Sequence, residues 1–141
     1  LVIILDTNVV AELMRQRPDL QVVAWTDRQL DSTLFLTAIT LAEIRFGIAA
    51  LPDGKRRHLL DAAFENEILP LFKGRILPFD ECASAHSAAL RAAARSRGTA
   101  IGDWDALIAA IARTRGFAVA TRDTAPFIGA GVDVIDPWIA E

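Results

Sequence analysis

In "LVIILDTNVVAEL" (residues 1–13), five apolar residues run unbroken into Asp6-Thr7-Asn8. Val2, Ile3 and Ile4 are branched at Cβ, which favours a strand. A strand without polar alternation is buried on both faces, as in a parallel sheet covered by helices. The segment from Asp6 then reads as a loop and a short helix, placed over 8–15 and stopped by Pro18.

The rest of the chain repeats this alternation. Asp19 opens a helix to about Arg28, and "LFLT" (34–37) is a second strand. "TLAEIRFGIAAL" (40–51) carries Leu41, Ile44, Ile48 and Leu51 at helical spacing and is broken by "PDGK". Residues 55–69 form another helix, and "RILPF" (75–79) holds a short strand. "DECASAHSAALRAAARSRG" (80–98) has Asp80 as its cap and Gly98 as its stop. "GDWDALIAAIAR" (102–113) opens a helix that runs from Asp103 to a second glycine stop, Gly116. "FAVAT" (117–121) and "VDVI" (132–135) are strands. No repeat, low-complexity segment or linker interrupts the pattern. Strands alternating with helices predict a single α/β domain over 1–141, a sandwich with a mainly parallel sheet.

Composition narrows the function classes. The 141 residues are 52% hydrophobic, enough for a substantial core. No apolar run reaches the roughly 18 residues of a membrane span. No basic segment followed by an apolar stretch stands at the start, so no signal peptide is expected. Cys82 is the only cysteine, and a lone thiol suits a reducing cytoplasm. The net charge of −3 argues against broad electrostatic capture of nucleic acid, though not against a local basic rim. Fifteen residues are Lys or Arg, and only Lys55 and Lys73 are lysines; arginine suits phosphate recognition.

In open α/β sheets, ligands bind beyond the carboxyl ends of the strands. Asp6 follows the first strand directly. Glu43 falls in the first turn of the helix after the second, Asp123 follows "FAVAT", and Asp105 lies in the first turn of its own helix. Each has a plainer reading. Asp6 can cap the following helix, and Thr40-Leu-Ala-Glu43 matches a capping box. Asp123 can be a turn residue, and Asp103 is well placed as an N-cap. Asp105 cannot share that cap, because residues two apart on a helix face different ways. Four carboxylates gathered at one edge repel unless protonated or neutralised by a cation. A hard divalent ion such as Mg²⁺ takes oxygen ligands and stays open to phosphate oxygens.

"LDTNVVAEL", "TLAEIRFGI", "DALIAAIARTRGFAVATRDTAPF" and "VDVIDPW" together resemble the PIN-domain ribonucleases, most nearly the VapC and FitB toxins of bacterial toxin–antitoxin pairs. The likeness runs in order from residue 2 to residue 138. It implies a three-layer α/β/α sandwich and an endoribonuclease that uses Mg²⁺ or Mn²⁺. It places the family's four acids on Asp6, Glu43, Asp105 and Asp123, with Thr121, Asn8 and the neighbouring Asp103 in support. It also implies a small cognate antitoxin, operator DNA reached only through that partner, a homodimer, and no membrane.

Arg15, Arg45 and Arg122 lie near the acids and could grip RNA phosphates; surface solvation is the equal alternative. His58 and His86 have no nucleophilic partner in reach. Cys82 reads as a small core residue, Trp25 and Trp138 as packing groups, and Trp104 as packing or a base-stacking platform, with packing preferred. "VIILDTNVV" also looks like the first block of haloacid-dehalogenase-like phosphatases, but Asn8 stands where that chemistry needs an acid. A housekeeping nuclease of the same fold without an antitoxin is another alternative. A non-catalytic interaction module is disfavoured by four intact acids.

Overall fold

The structure is a computed structural model and describes residues 1–141. Five strands form one sheet: β1 (Ile3–Leu5), β2 (Leu34–Thr37), β3 (Ile76–Leu77), β4 (Ala118–Ala120) and β5 (Val134–Ile135). Their order is β3-β2-β1-β4-β5 and every pairing is parallel. The expectation of a mainly parallel sheet thus becomes an all-parallel one.

The apolar run at the start explains the layering. Ile4 faces a core cluster with residues of α5 (Glu81–Ser96), α6 (Asp103–Arg115) and α7 (Thr124–Gly129). Ile3 and Leu5 face the opposite cluster, with α1 (Thr7–Leu13), α2 (Leu20–Asp27) and α3 (Ala38–Ala49). Successive strand residues point to opposite faces, and both faces are covered, so all three must be apolar.

Several boundaries move. The first helix begins at Thr7, directly after the strand, because the Asp6 carboxylate already accepts from the Thr7 N–H. No loop intervenes. The third helix starts at Ala38 and is capped by Thr37, whose hydroxyl accepts from the Thr40 N–H. Thr40 and Glu43 therefore do not form a capping box, and Glu43 stands in the second turn. The predicted 55–69 helix is α4 (Lys55–Ala62), continued by a π-helical turn over Ala63–Ile68 and a tight turn to Phe72. Asp80 caps α5 through the Ala83 N–H. Gly116 ends α6 in the left-handed region, with φ of 70°.

β1 is central, with β2 on one side and β4 on the other. The chain winds outward in both directions from this point, which leaves a crevice at the carboxyl ends of β1 and β4. No helix is long and apolar enough to cross a membrane.

Ile4 is fully buried at the centre of this arrangement. Ile4→Ala is expected to cost about 2–5 kcal/mol and Ile4→Val about 0.5–1.5 kcal/mol. Denaturant unfolding of the two variants checks the ordering.

Candidate functional site

Asp6 directly follows β1, is 4% exposed, and caps α1. Its carboxylate is held from two sides. The Thr7 N–H donates to Oδ1 at 2.8 Å, and the Thr121 hydroxyl donates to Oδ2 at 2.8 Å. The Asn8 amide lies farther off, 3.5 Å from Oδ2. Burial raises the pKa of Asp6 above the ordinary aspartate value, and the charges of Glu43 and Asp123 add to this. The bonds from Thr121 and Thr7 pull the other way.

Glu43 comes from α3. Its Oε1 accepts from the Thr7 hydroxyl at 2.7 Å. Burial raises its pKa, the Thr7 bond lowers it, and the charge of Asp105 raises it further. Thr7 therefore touches two of the four acids, Asp6 through its backbone and Glu43 through its side chain. It also approaches the hydroxyl of buried Thr40, which neighbours that of buried Thr37. Nothing in the sequence singles out Thr7, because its partner lies 36 positions away.

Asp105 stands in the first turn of α6. Its pKa is pushed up to about 6, first by burial and then by the charges of Asp6 and Asp123. Asp123 follows β4 and is exposed; its backbone N–H donates to the Thr121 hydroxyl oxygen at 3.1 Å. Thr121 is fully buried and ties the Asp6 carboxylate to the loop that carries Asp123. Asn8 extends the tie. Its amide nitrogen donates to Thr121 Oγ1 at 3.1 Å, and its carbonyl oxygen accepts from the Arg122 N–H at 3.2 Å. An amide used in this way fastens the first turn of α1 to the loop after β4 and supplies no acid, contrary to what a phosphatase of the alternative kind requires.

The four acids expected from the sequence are thus coupled electrostatically: Asp6 feels Glu43 and Asp123, Glu43 feels Asp105, and Asp105 feels Asp6 and Asp123. The fifth does not join them. Gly102, not Asp103, is the N-cap of α6, and it makes no side-chain cap bond. The exposed Asp103 carboxylate instead accepts from Arg91 at 2.8 Å. Two of the three candidate arginines are also engaged: Arg15 on Glu12, and Arg45 on Glu65 through two bonds of 2.8 and 3.1 Å. Arg122 lies over the ring of Trp138. Trp25 is buried as expected, whereas Cys82 is exposed, and Trp104, at 44% exposure, is not a core packing group.

No three His, Cys, Asp or Glu side chains are closed into a ligand cluster. The donor chemistry nevertheless suits a hard divalent ion. The donors are all carboxylate oxygens, with neither thiol nor imidazole among them. Asp105 carries the electrostatic cost of its neighbours in a raised pKa, and a dication would relieve that cost.

The sequence profile of the PIN domain matches residues 3–130. The chain is 54% identical over 136 residues to the VapC ribonuclease Y4jK of Sinorhizobium fredii, covering 96% of this chain and 97% of that protein. It is 47% identical over 136 residues to the toxin FitB of Neisseria gonorrhoeae, covering 96% and 98% of the two. A solved structure of FitAB bound to an IR36 DNA fragment superposes with a TM-score of 0.93 at 46% identity, covering 99% of this chain and 98% of that one. With the buried acid, its threonine supports and the all-parallel sheet, these likenesses establish that the chain belongs to the PIN domain family, in the group of VapC and FitB toxins.

Proposed function

We propose that the chain is a Mg²⁺- or Mn²⁺-dependent endoribonuclease that hydrolyses RNA phosphodiester bonds as the toxin of a toxin–antitoxin pair. The observation that carries this reading is the buried Asp6 carboxylate, held by Thr7 and Thr121, with Glu43 tied to the same Thr7 and the charges of Glu43, Asp105 and Asp123 coupled to it. Relatives named as a ribonuclease and as a toxin support the same reading.

Asp6, Glu43, Asp105 and Asp123 would hold the ion. When bound, it supplies a Lewis acid that stabilises charge on the phosphodiester and activates the attacking water. The chain's own residues prepare for this. Thr121 and the Thr7 N–H occupy a lone pair on each Asp6 oxygen and so fix its carboxylate plane. Thr7 Oγ1 fixes one oxygen of Glu43. The N-terminus of α6, which carries Asp105, and that of α1, which Asp6 caps, offset part of the negative charge.

The acidic crevice also suits a partner. An arginine or lysine from a small antitoxin would pair with these carboxylates and compete with the metal. α1 and α3 carry or flank Asp6 and Glu43 and are the candidates for lining the partner's seat. With a net charge of −3, operator DNA is to be contacted through the antitoxin rather than by this chain.

Cleavage of RNA by the purified chain should need Mg²⁺ or Mn²⁺ and stop in EDTA. Asp6→Asn and Asp105→Asn should each lose on the order of a hundredfold or more in rate. Asp103→Asn should stay within about threefold, since exposed ion pairs contribute little. Full activity in excess chelator, or loss on Asp103→Asn but not on Asp105→Asn, would overturn the assignment.

The raised carboxyl pKa values also predict a pH signature. Between the ordinary 3.8 and about 6, folded Asp105 retains a proton that the unfolded chain has released. The folded state binds more protons there, so stability without metal falls as pH rises through that window. Asp105→Asn should flatten the dependence in thermal melts. Saturating Mn²⁺ should raise the midpoint more above that window than at about pH 5, where protons compete for the same oxygens.

Co-expression with the adjacent small open reading frame should yield a stable complex without RNase activity, and activity should return when the partner is degraded. A chain that remains fully active in that complex would instead be a housekeeping nuclease of the same fold.

A further inference from the structure

Arg15, Arg45 and Arg91 are already paired, with Glu12, Glu65 and Asp103. Arg122 makes no such pair. Its guanidinium carbon lies 5.1 Å from the centre of the Trp138 ring. Both ends of this contact are anchored. The Arg122 N–H is tied to Asn8 Oδ1, and the Trp138 N–H donates to Asp136 Oδ1 at 2.9 Å. The indole packs against the core cluster beneath α1 to α3. β5 pairs with β4 in register, Ala120 with Ile135, so the turn bearing Trp138 leaves the sheet at the same edge as Arg122 and Asp123.

A guanidinium held over a ring by cation–π attraction still has N–H donors to offer, and its planar fork matches a phosphate. A polyanion approaching four carboxylates on a chain of net charge −3 needs such a cation at the rim. We propose that Arg122, held on Trp138, grips a backbone phosphate of single-stranded RNA beside the scissile position. The proposal rests on the ribonuclease reading above. Arg122 is the binding residue, and Trp138 is a positioning residue that acts through it.

The test uses the full chain and a labelled single-stranded RNA of about a dozen nucleotides, a length typical of single-strand sites. Cleavage by the wild type tests the ribonuclease reading; the variants then test this one. Arg122→Ala should raise KM about tenfold with kcat held within about twofold, as expected for lost uniform binding. On the non-cleaving Asp6→Asn background, its slope of log affinity against log salt should shrink by about 0.7, the value of one single-strand phosphate contact. Mn²⁺ affinity by calorimetry should not change. Trp138→Leu should weaken binding in the same direction, Trp138→Phe should restore most of it, and Arg122→Ala/Trp138→Leu should be no weaker than Arg122→Ala alone. An unchanged KM and salt slope in Arg122→Ala overturns the phosphate contact even where the wild type cleaves RNA. Additive losses in the double variant overturn the role given to Trp138.

Discussion

The carboxylate of Asp6 lies at the end of the central strand, 4% exposed, where ionisation is costly. Much of the crevice around it follows from that one placement. The Thr121 hydroxyl and the Thr7 N–H are aimed at it, Asn8 ties α1 to the segment of Thr121 and Arg122, and α1 begins on it without a linker. The strand order β3-β2-β1-β4-β5 then decides its neighbours. β1 at the centre puts Asp6 beside the end of β4, from which Thr121 and Asp123 follow.

The fold places its charge where it has least means to dissipate it. Asp6, Glu43 and Asp105 are all raised, with burial the leading cause and neighbouring acids a further one. Two helix N-termini and a set of threonine hydroxyls offset part of this cost; the remainder is a standing preference for protons or cations. Such a preference lowers stability in the absence of a counter-charge and raises affinity for one. A dication, a partner's guanidinium and a proton all answer the same electrostatic demand.

The departures from the sequence reading each have a physical cause. Thr40-x-x-Glu43 has the form of a capping box, yet α3 starts at Ala38, because Thr37 at the end of β2 takes the cap first. That leaves Glu43 free for Thr7. Asp103 has the form of an N-cap, yet Arg91 on α5 draws its carboxylate outward while Gly102 occupies the cap position. The first motif lost to a threonine three residues upstream, the second to an arginine on the neighbouring helix. Cys82 and Trp104 misled for a related reason: residue type gives only an average tendency to burial, and both lie on exposed helix positions.

The sequence by itself determined the alternation of strands and helices and the parallel character of the sheet, and it singled out four candidate acids. The strand pattern is local: unbroken apolar runs demand cover on both faces, and Asp6 and Asp123, just after such runs, must fall at strand ends, whereas Glu43 and Asp105 are carried by helices. Only the tertiary structure decided that Thr7 would hold Glu43, that Thr121 would hold Asp6, that Arg15 and Arg45 would be neutralised, and that Arg122 would rest on Trp138. Apart from the helical pairing of Arg15 with Glu12, these contacts join residues far apart in the chain. Their geometry arises from strand order and helix packing, which no short spacing encodes.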